Sequence, residues 1–302
     1  MTAISSRIDA LTENIVRINP LQRSFIAESV TEIRDEEMQD LHAYIEFAAS
    51  AGIETAYLAE CYDLIVKDTL REQMYFQRNG RYRYSTFDDV ANSVYFNPEY
   101  MRKYMHGLAI TAYLWPNHRA LHRFFIESIP TVKGGRYLEV GPGHGVFMMC
   151  AMRRSGYDSF EGIDISPTSV EMTRDLLGSG FFGAFDGYEI VEQDFFAGET
   201  AEGAYAAVVM GEVLEHVEDP GRFLQHISRV STDDAFIFIT TPINAPAIDH
   251  IYLFDSVESI EALVEQAGLR VCDDLLVPYP GLTVEESMAQ KLPVNVAMVL
   301  GK

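Results

Sequence analysis

The stretch that decides the fold reads Tyr137-Leu138-Glu139-Val140-Gly141-Pro142-Gly143-His144-Gly145. Three apolar residues around a single acid lead into glycines at every second position, and an apolar, helix-compatible run follows over residues 146–152. This pattern predicts a buried strand, a sharp turn and a helix, the first unit of a doubly wound α/β sheet. Glycine at successive turn positions lets the backbone approach a ligand closely because no Cβ intervenes. We therefore expect the turn to bind a small molecule.

The spacing of the glycines bears on which molecule that is. A dinucleotide-binding turn has the pattern G-x-G-x-x-G, but Val146 occupies the place of its third glycine, and Glu139 would repel a pyrophosphate. The pattern E-x-G-x-G-x-G resembles motif I of the class I S-adenosylmethionine (SAM) methyltransferases. The resemblance implies that Glu139, Gly141, Gly143 and Gly145 hold SAM. A glycine-rich turn that binds no SAM is the alternative.

Composition and charge indicate which kinds of binding partner and which cellular compartment the sequence favours. The 302 residues suit one large or two ordinary domains, and a net charge of −22 argues against a nucleic-acid partner. Cys61, Cys150 and Cys272 are isolated, with no C-x-x-C pair, which favours a reducing, cytoplasmic compartment. The N-terminal residues lack an apolar signal core, and no apolar run reaches the roughly 18 residues of a membrane span.

The chain before the glycine turn has the apolar spacing of helices. Its predicted breaks are Asn19-Pro20, Ala51-Gly52, Asn79-Gly80, Asn97-Pro98 and Trp115-Pro116. We predict an all-helical lid or substrate domain over residues 1–130, joined through residues 130–135 to a SAM-binding domain over residues 131–302. A homodimer is one assembly that such a helical addition allows.

Nine aromatic residues lie between Tyr75 and Tyr104. One interpretation is an ordinary helical core. The other is a lid whose rings surround a sulfonium, since a cation is attracted to an aromatic face and a closed lid excludes water. On the second interpretation Tyr75, Tyr84 and Tyr95 are candidate catalytic residues. Tyr82 and Tyr104 would line the substrate pocket.

A short segment before the first strand, Trp115-Pro116-Asn117-His118, precedes His122. His118 and His122 have the i, i+4 spacing that can chelate a metal, but no third ligand accompanies them. We therefore predict a surface or lid helix and no metal site. Asn117 and His118 are candidates for the substrate pocket.

Acids follow two of the predicted strands after the turn. Asp164 ends the strand over residues 160–166, and the resemblance implies that it binds the ribose hydroxyls beside Ile165; a favourable charge at a helix N-terminus is the alternative. Asp194 and Phe195 follow the next strand, and the resemblance implies contacts with adenine. Ordinary turn chemistry would also explain Asp194.

The fourth strand, from Tyr205, runs into Val213-Leu214-Glu215-His216-Val217-Glu218-Asp219-Pro220. This string resembles small-molecule methyltransferases such as the ubiquinone- and menaquinone-pathway enzymes. Ligands of open parallel sheets bind at the carboxyl ends of strands, where Glu212 would contact the cofactor and Glu215 would also lie. His216 is a candidate general base. A histidine that caps the loop is the alternative.

The remaining chain completes a predicted seven-stranded, mostly parallel sheet. A strand over residues 235–241 leads into a long loop over residues 242–252, where Asn244 and His250 are candidates for the substrate pocket. A helix over residues 256–267 and two more strands follow, and the resemblance implies that the last strand is antiparallel. The resemblance starts at Tyr137 and does not cover the N-terminal helices.

The predicted function is a SAM-dependent methyltransferase that acts on a small molecule in specialised metabolite biosynthesis. Methyl transfer from a sulfonium needs alignment and exclusion of water, but neither a nucleophilic triad nor a metal. The segment L-W-P-N-H before motif I also resembles azetidine-2-carboxylate synthases, in which the amine of SAM attacks its own γ-carbon and methylthioadenosine is released. A SAM-binding partner subunit is a third possibility, against which the intact ligand acids argue.

Overall fold

The structure, a computed structural model, describes residues 3–131, 134–197 and 200–302. Val132 and Lys133 of the predicted linker lie outside the described residues. Among the described helices, none combines the length and the apolarity needed to cross a membrane.

Seven α-helices precede the first strand in the described part of the chain. They are α1 (Ala3–Ile18), α2 (Arg23–Thr31), α3 (Asp35–Ser50), α4 (Thr55–Asn79), α5 (Phe87–Val90), α6 (Pro98–Leu114) and α7 (Pro116–Ser128). All five predicted breaks coincide with helix ends: Gly80, with φ of +67°, ends α4, while Pro98 and Pro116 occupy the first positions of α6 and α7. The break between α2 and α3 was not predicted because residues 32–34 contain neither glycine nor proline.

The strands form one sheet in the order β3-β2-β1-β4-β5-β7-β6. They are β1 (Arg136–Val140), β2 (Ser159–Asp164), β3 (Tyr188–Glu192), β4 (Tyr205–Gly211), β5 (Ser231–Ile243), β6 (Arg270–Val277) and β7 (Val294–Gly301). Of these seven described strands, only β7 runs antiparallel to its neighbours. The doubly wound, mostly parallel sheet is therefore confirmed, and its strand order reverses between β1 and β4.

Within the described ranges, five further helices connect the strands, and they cover both faces of the sheet. They are α8 (Val146–Arg154), α9 (Pro167–Gly178), α10 (Pro220–Val230), α11 (Val257–Gln266) and α12 (Val284–Ala289). One loop was placed wrongly from the sequence: β7 still pairs with Pro242 and Ile243, so the loop expected from Pro242 begins at Asn244.

The N-terminal helices share a hydrophobic core with one face of the sheet. The ring of Phe125 in α7 lies 5.1 Å from that of Phe147 in α8 and 5.0 Å from that of Phe238 in β5, measured between centroids. Neighbouring side chains of β5, such as Ile237, alternate to the opposite face and pack with α10 and α11. The helices before β1 are thus built onto the sheet, while their division from it at residue 130 stays a prediction.

The segment between α4 and α6, residues 80–97, crosses the carboxyl ends of the strands; we call it the cover segment. It contains α5 and a π-helix (Ala91–Tyr95), a helix form that is frequent at functional sites. The backbone N–H of Phe87 donates to Glu218 Oε1 at 3.0 Å, and Ser166 Oγ donates to the carbonyl oxygen of Tyr95 at 3.2 Å. These hydrogen bonds hold the cover segment over the strand ends.

Candidate functional site

A cavity of about 1250 Å³ opens at the carboxyl ends of β1, β2, β4 and β5, at the point where the strand order reverses. Its wall combines the glycine turn, the ends of β2 to β4, the cover segment and one side of α6 and α7. Open α/β sheets bind ligands at this position. This volume is larger than the roughly 300–1,000 Å³ of a typical pocket for one small ligand.

The glycine turn has a backbone that only glycine adopts easily. Gly141, Gly143 and Gly145 have φ of +69°, +55° and +78°. A Cβ on Gly141 would lie 2.7 Å from Val213 Cγ2, so a side chain does not fit there. Gly141 and Gly143 lie in the cavity wall, whereas Gly145 packs beneath it against Thr173 of α9.

Asp164, at the end of β2, lies in the cavity wall beside the glycine turn and Ile165. Its carboxylate accepts hydrogen bonds from the backbone N–H of Gly143 at 3.1 Å and of Ser166 at 2.9 Å. Burial raises the pKa of Asp164 to about 6, although these backbone donors act in the opposite direction. The N-cap of α9 is Ser166, whose Oγ accepts from Ser169 N, so that helix end has its own capping side chain.

Glu139 lies behind the turn, outside the cavity wall. The hydroxyl of Tyr137 donates to Glu139 Oε2 at 2.6 Å, and Glu139 as a residue is 2% exposed. Burial raises the pKa of Glu139 to about 8, against the effect of the Tyr137 hydrogen bond. The structure therefore places this acid beneath the turn, where it supports β1 from inside the core.

Asp194 and Phe195, after β3, both line the cavity. Asp194 Oδ1 accepts from the backbone N–H of Phe196 at 2.8 Å, which is the local turn contact that aspartate often makes. The Phe195 ring is buried and packs against His226 at 4.5 Å between ring centroids. The pair gives this end of the cavity one polar and one apolar wall.

Glu212 follows β4 and has φ of +53°, an uncommon value for a residue with a side chain. Its N–H donates to the carbonyl oxygen of Thr240 at 3.1 Å, which ties the strained residue to β5. Glu212 lines the cavity, and burial raises the pKa of its carboxyl group. Backbone strain of this kind costs about 1–3 kcal/mol and is found at functional sites.

Asp249 is the residue of this site that the sequence analysis did not single out. Its carboxylate accepts from the hydroxyl groups of Tyr95 at 3.2 Å and Tyr104 at 3.0 Å, and all three residues line the cavity. His216 Nδ1 lies 3.1 Å from the Asp249 carbonyl oxygen. Asp249 lies in a loop without periodicity, so only its charge in a predicted pocket loop could have indicated it.

The other tyrosines named from the sequence lie outside the cavity wall. The ring of Tyr75 lies beneath the Arg83 guanidinium, at 4.2 Å, near the end of α4. Tyr84 belongs to the cover segment and packs on a small apolar cluster that includes Val90 and Val94. Tyr82 is buried with its ring 5.8 Å from that of His250, so it lies behind a residue of the wall.

Of the two substrate-pocket candidates in the loop after β5, one lines the cavity and one does not. His250 lines the cavity, and burial lowers its pKa to about 3, which leaves it neutral. Asn244 is buried behind it with φ of +52°.

Helix α7 contributes Asn117, His118 and His122 to the wall. Asn117 Nδ2 donates to Asn295 Oδ1 at 3.0 Å. Burial lowers the pKa of His118 to about 4 and that of His122 to about 3, so both rings are neutral near pH 7. This side of the cavity therefore carries no positive charge from its histidines.

The sheet order, its antiparallel last strand and the glycine turn at the reversal point define the fold of the class I SAM-dependent methyltransferases. A family model described as a methyltransferase domain matches residues 101–273, more than half of the chain, and the chain belongs to this family. It is a SAM-dependent transferase, as the sequence predicted, and its cofactor is SAM.

A curated relative and two solved structures show what else this chain is similar to. The ubiquinone biosynthesis O-methyltransferase of Neisseria meningitidis serogroup C (strain 053442) is 24% identical over 192 residues, which cover 57% of this chain and 79% of that protein. The mitomycin 7-O-methyltransferase MmcR shares the fold with a TM-score of 0.53 and 16% identity, over 82% of this chain and 70% of that one. The [4+2]-cyclase SpnF shares it with a TM-score of 0.50 and 15% identity, over 61% and 80%.

The buried carboxyl group of Glu139 predicts a pH dependence of stability. Its pKa is about 8 in the folded chain against 4.5 ordinarily, so the folded chain retains this proton over a pH range in which the unfolded chain has lost it. The contribution of this proton to the free energy of unfolding is complete below pH 4.5. It falls by about 1.4 kcal/mol for each pH unit above 4.5 and is lost as the pH rises through 8. Urea titrations measure the free energy of unfolding at each pH. We expect it to decrease less between pH 5 and pH 9 in Glu139→Gln than in the wild type.

The control for this comparison is Glu189→Gln on β3, because its carboxylate is exposed. That variant should follow the wild-type curve. If Glu139→Gln runs parallel to the wild type over the same range, the proton assigned to Glu139 is wrong.

The position of Asp164 predicts its effect on cofactor affinity. We expect Asp164→Asn to weaken SAM binding about 10- to 100-fold, as measured by calorimetry, because a hydrogen bond to a charged group contributes about 1.5–3 kcal/mol. Since the pKa of Asp164 is about 6, wild-type affinity should rise between pH 5 and pH 7, whereas that of the variant should change little. Asp158→Asn, an exposed acid before β2, is the matched control. Equal affinities of the wild type and Asp164→Asn would contradict the assignment.

Proposed function

We propose that this enzyme transfers the methyl group of SAM to a small-molecule acceptor, in the biosynthesis of a specialised metabolite. The observation that carries the proposal is the size and continuity of the cavity. It extends from the glycine turn and Asp164 to the pair Asp249 and His216 and on to Asn117 of α7. A volume of about 1250 Å³ leaves room for an acceptor beside the cofactor.

The cofactor end of the cavity fits SAM in shape and in charge. The absence of a Cβ at Gly141 and Gly143 allows the ligand to approach the backbone. Asp164 offers oxygens to the ribose hydroxyls, and Phe195 offers an apolar wall to the adenine. When bound, SAM supplies a methyl group on a sulfonium, which is a good leaving group.

The centre of the cavity suits a cation. Glu212 and Asp249 bring carboxyl groups to it, and the rings of Tyr95 and Tyr104 lie in the same wall. Aromatic faces stabilise a desolvated cation by about 2 kcal/mol. Because Asp249 accepts from both tyrosine hydroxyls, the two rings are held in place before the ligand arrives.

The cover segment supports the same function by excluding water. Its hydrogen bonds to Glu218, Ser166 and Asp249 close it over the strand ends. Exclusion of water protects an electrophile from hydrolysis and strengthens electrostatic interactions inside the site. We assign acceptor selection to the cover segment together with α7 and the loop that carries His250.

Cyclisation of SAM is the second candidate, and the enclosure made by Tyr95, Tyr104 and Asp249 favours it. In that reaction the neutral amine nitrogen of SAM bonds to its γ-carbon, the bond from that carbon to sulfur breaks, and its electron pair leaves with methylthioadenosine. The new ring nitrogen keeps both hydrogens and takes over the positive charge. A folded methionine chain would need aromatic walls and no acceptor. The fold is compatible with reactions other than methyl transfer, since SpnF is a [4+2]-cyclase.

The two candidates give different nucleoside products. We expect S-adenosylhomocysteine to form only when an acceptor is added, with phenols, catechols and quinols as the first panel and chromatography as the measurement. Methylthioadenosine above the enzyme-free background, from SAM alone, would support cyclisation instead. If neither product forms and calorimetry detects no SAM binding, the chain is a partner subunit and the proposal fails.

The tyrosine contacts with Asp249 predict a loss of turnover. Tyr95→Phe and Tyr104→Phe each remove a hydroxyl that donates to a buried carboxylate, so we expect kcat to fall about 10-fold or more. The Kd for SAM should change less than about 3-fold. Tyr188→Phe on β3, outside the cavity wall, is the matched control. Unchanged turnover in both cavity variants would remove the tyrosines from the mechanism.

A further inference from the structure

Three side chains from two separate segments meet at one end of the cavity. Glu215 and His216 belong to the short 3₁₀ turn after β4, and His250 belongs to the loop after β5. Glu215 Oε1 lies 3.7 Å from His216 Nε2 and 3.9 Å from His250 Nε2. One ligand atom from each of the three residues lies within 4.8 Å of the others.

The carboxyl group of Glu215 is incompletely paired. Glu215 is 0% exposed, and Thr241 Oγ1 donates to its Oε2 at 2.9 Å. Its Oε1 has no hydrogen-bond partner among the described residues. A buried oxygen without a partner costs about 1–3 kcal/mol, and an ion at the site is one of the explanations for such an atom.

The Nε2 atoms of both histidines lie near the same oxygen, Glu215 Oε1. His216 Nδ1 lies 3.1 Å from the carbonyl oxygen of Asp249, and His250 Nδ1 lies 2.6 Å from that of Ala245. A carbonyl oxygen only accepts, so each Nδ1 carries a hydrogen, and the atom of each ring that is left to bind an ion is Nε2. A hydrogen bond from the second ring nitrogen to a backbone carbonyl is the support that metal-binding histidines have.

Burial and the neighbouring Glu212 raise the pKa of Glu215 well above its usual range, so either a proton or a cation has to lie between this carboxyl group and the two ring nitrogens. We propose that Glu215, His216 and His250 form a binding site for one divalent transition-metal ion of the Zn²⁺ type. Two imidazoles and one carboxylate are a donor set of catalytic zinc sites, and small side-chain rotations would bring all three to about 2.0–2.2 Å from an ion. This proposal departs from the prediction of no metal site, which rested on His118 and His122 having no third ligand.

The site has an open side toward the cavity. His216 and His250 lie in the cavity wall and Glu215 lies behind them, so further coordination positions face the cavity. A hydroxyl group bound there would lose its proton more readily, because a metal ion lowers the pKa of a bound oxygen. This consequence for catalysis rests on the proposed function, whereas metal binding does not.

The test is metal binding by the full chain after removal of metals with a chelator. We expect equilibrium dialysis with Zn²⁺, followed by elemental analysis, to give one ion per chain. Zn²⁺ should also raise the Tm, because an ion that binds only the folded state stabilises it. Co²⁺ in its place should give the visible absorption of a site with nitrogen and oxygen ligands.

Two ligand variants and two controls locate the ion. Glu215→Gln and His250→Gln should each weaken Zn²⁺ binding at least 100-fold and abolish the rise in Tm. Glu189→Gln and His42→Gln exchange the same residue types on β3 and α3, and both should retain one ion per chain. Circular dichroism of the metal-free variants shows whether they fold, and two separate ligand variants keep the test decisive if one does not.

Two results would overturn the proposal. If the wild type binds none of Zn²⁺, Co²⁺ and Mn²⁺, Glu215 shares a proton with a histidine instead. If binding persists in both ligand variants, the ion lies elsewhere, with the histidines of α7 as the next candidates. SAM calorimetry on the metal-free enzyme reports separately on the proposed function, so the two failures are distinguishable.

Discussion

The close approach of Gly141 to Val213 is the constraint on which the site depends. Since β1 and β4 are neighbours in the sheet, the chain that leaves β1 must turn directly beneath the segment that follows β4. A Cβ at Gly141 would lie 2.7 Å from Val213 Cγ2, and the φ of +69° also favours glycine. Because the turn is this tight, the Gly143 amide reaches the carboxylate of Asp164. The segment after β4, which packs against the turn, places Glu212 in the wall of the same cavity.

Three acids around this turn are buried, and burial disfavours their charged form. Glu139, Asp164 and Glu212 all have a raised pKa because burial disfavours the charged carboxylate, and no Lys or Arg within the described ranges offsets this. Carboxyl groups fixed in a low-dielectric cavity attract a sulfonium or a metal ion more strongly than they would in water. Asp164 and Glu212 line the cavity, so a cation bound there would offset part of the cost of their burial, whereas Glu139 lies behind the turn and is paired with Tyr137.

The N-terminal helices are coupled to the cavity by packing as well as by hydrogen bonds. Phe125 joins α7 to the sheet core, and Tyr95 joins the cover segment to Asp249. The family match begins only at residue 101, so α1 to α5 and the cover segment lie outside it. The cover segment is therefore the part of the cavity wall that the family match leaves out, whereas the glycine turn, Asp164, α7 and the loop that carries His250 lie within the match.

The sequence by itself determined the strand, glycine turn and helix of the cofactor site, the seven-stranded sheet and five helix breaks. These features follow from local periodicity and from the backbone limits of glycine and proline, which are written in neighbouring residues. It did not determine that Glu139 lies behind the turn, or that Asp249 holds Tyr95 and Tyr104. The meeting of Glu215 and His216 with His250 was likewise decided by the tertiary structure, because it depends on the pairing of β4 with β5 and on the path of the loop beyond. No local pattern encodes a contact between side chains more than thirty residues apart.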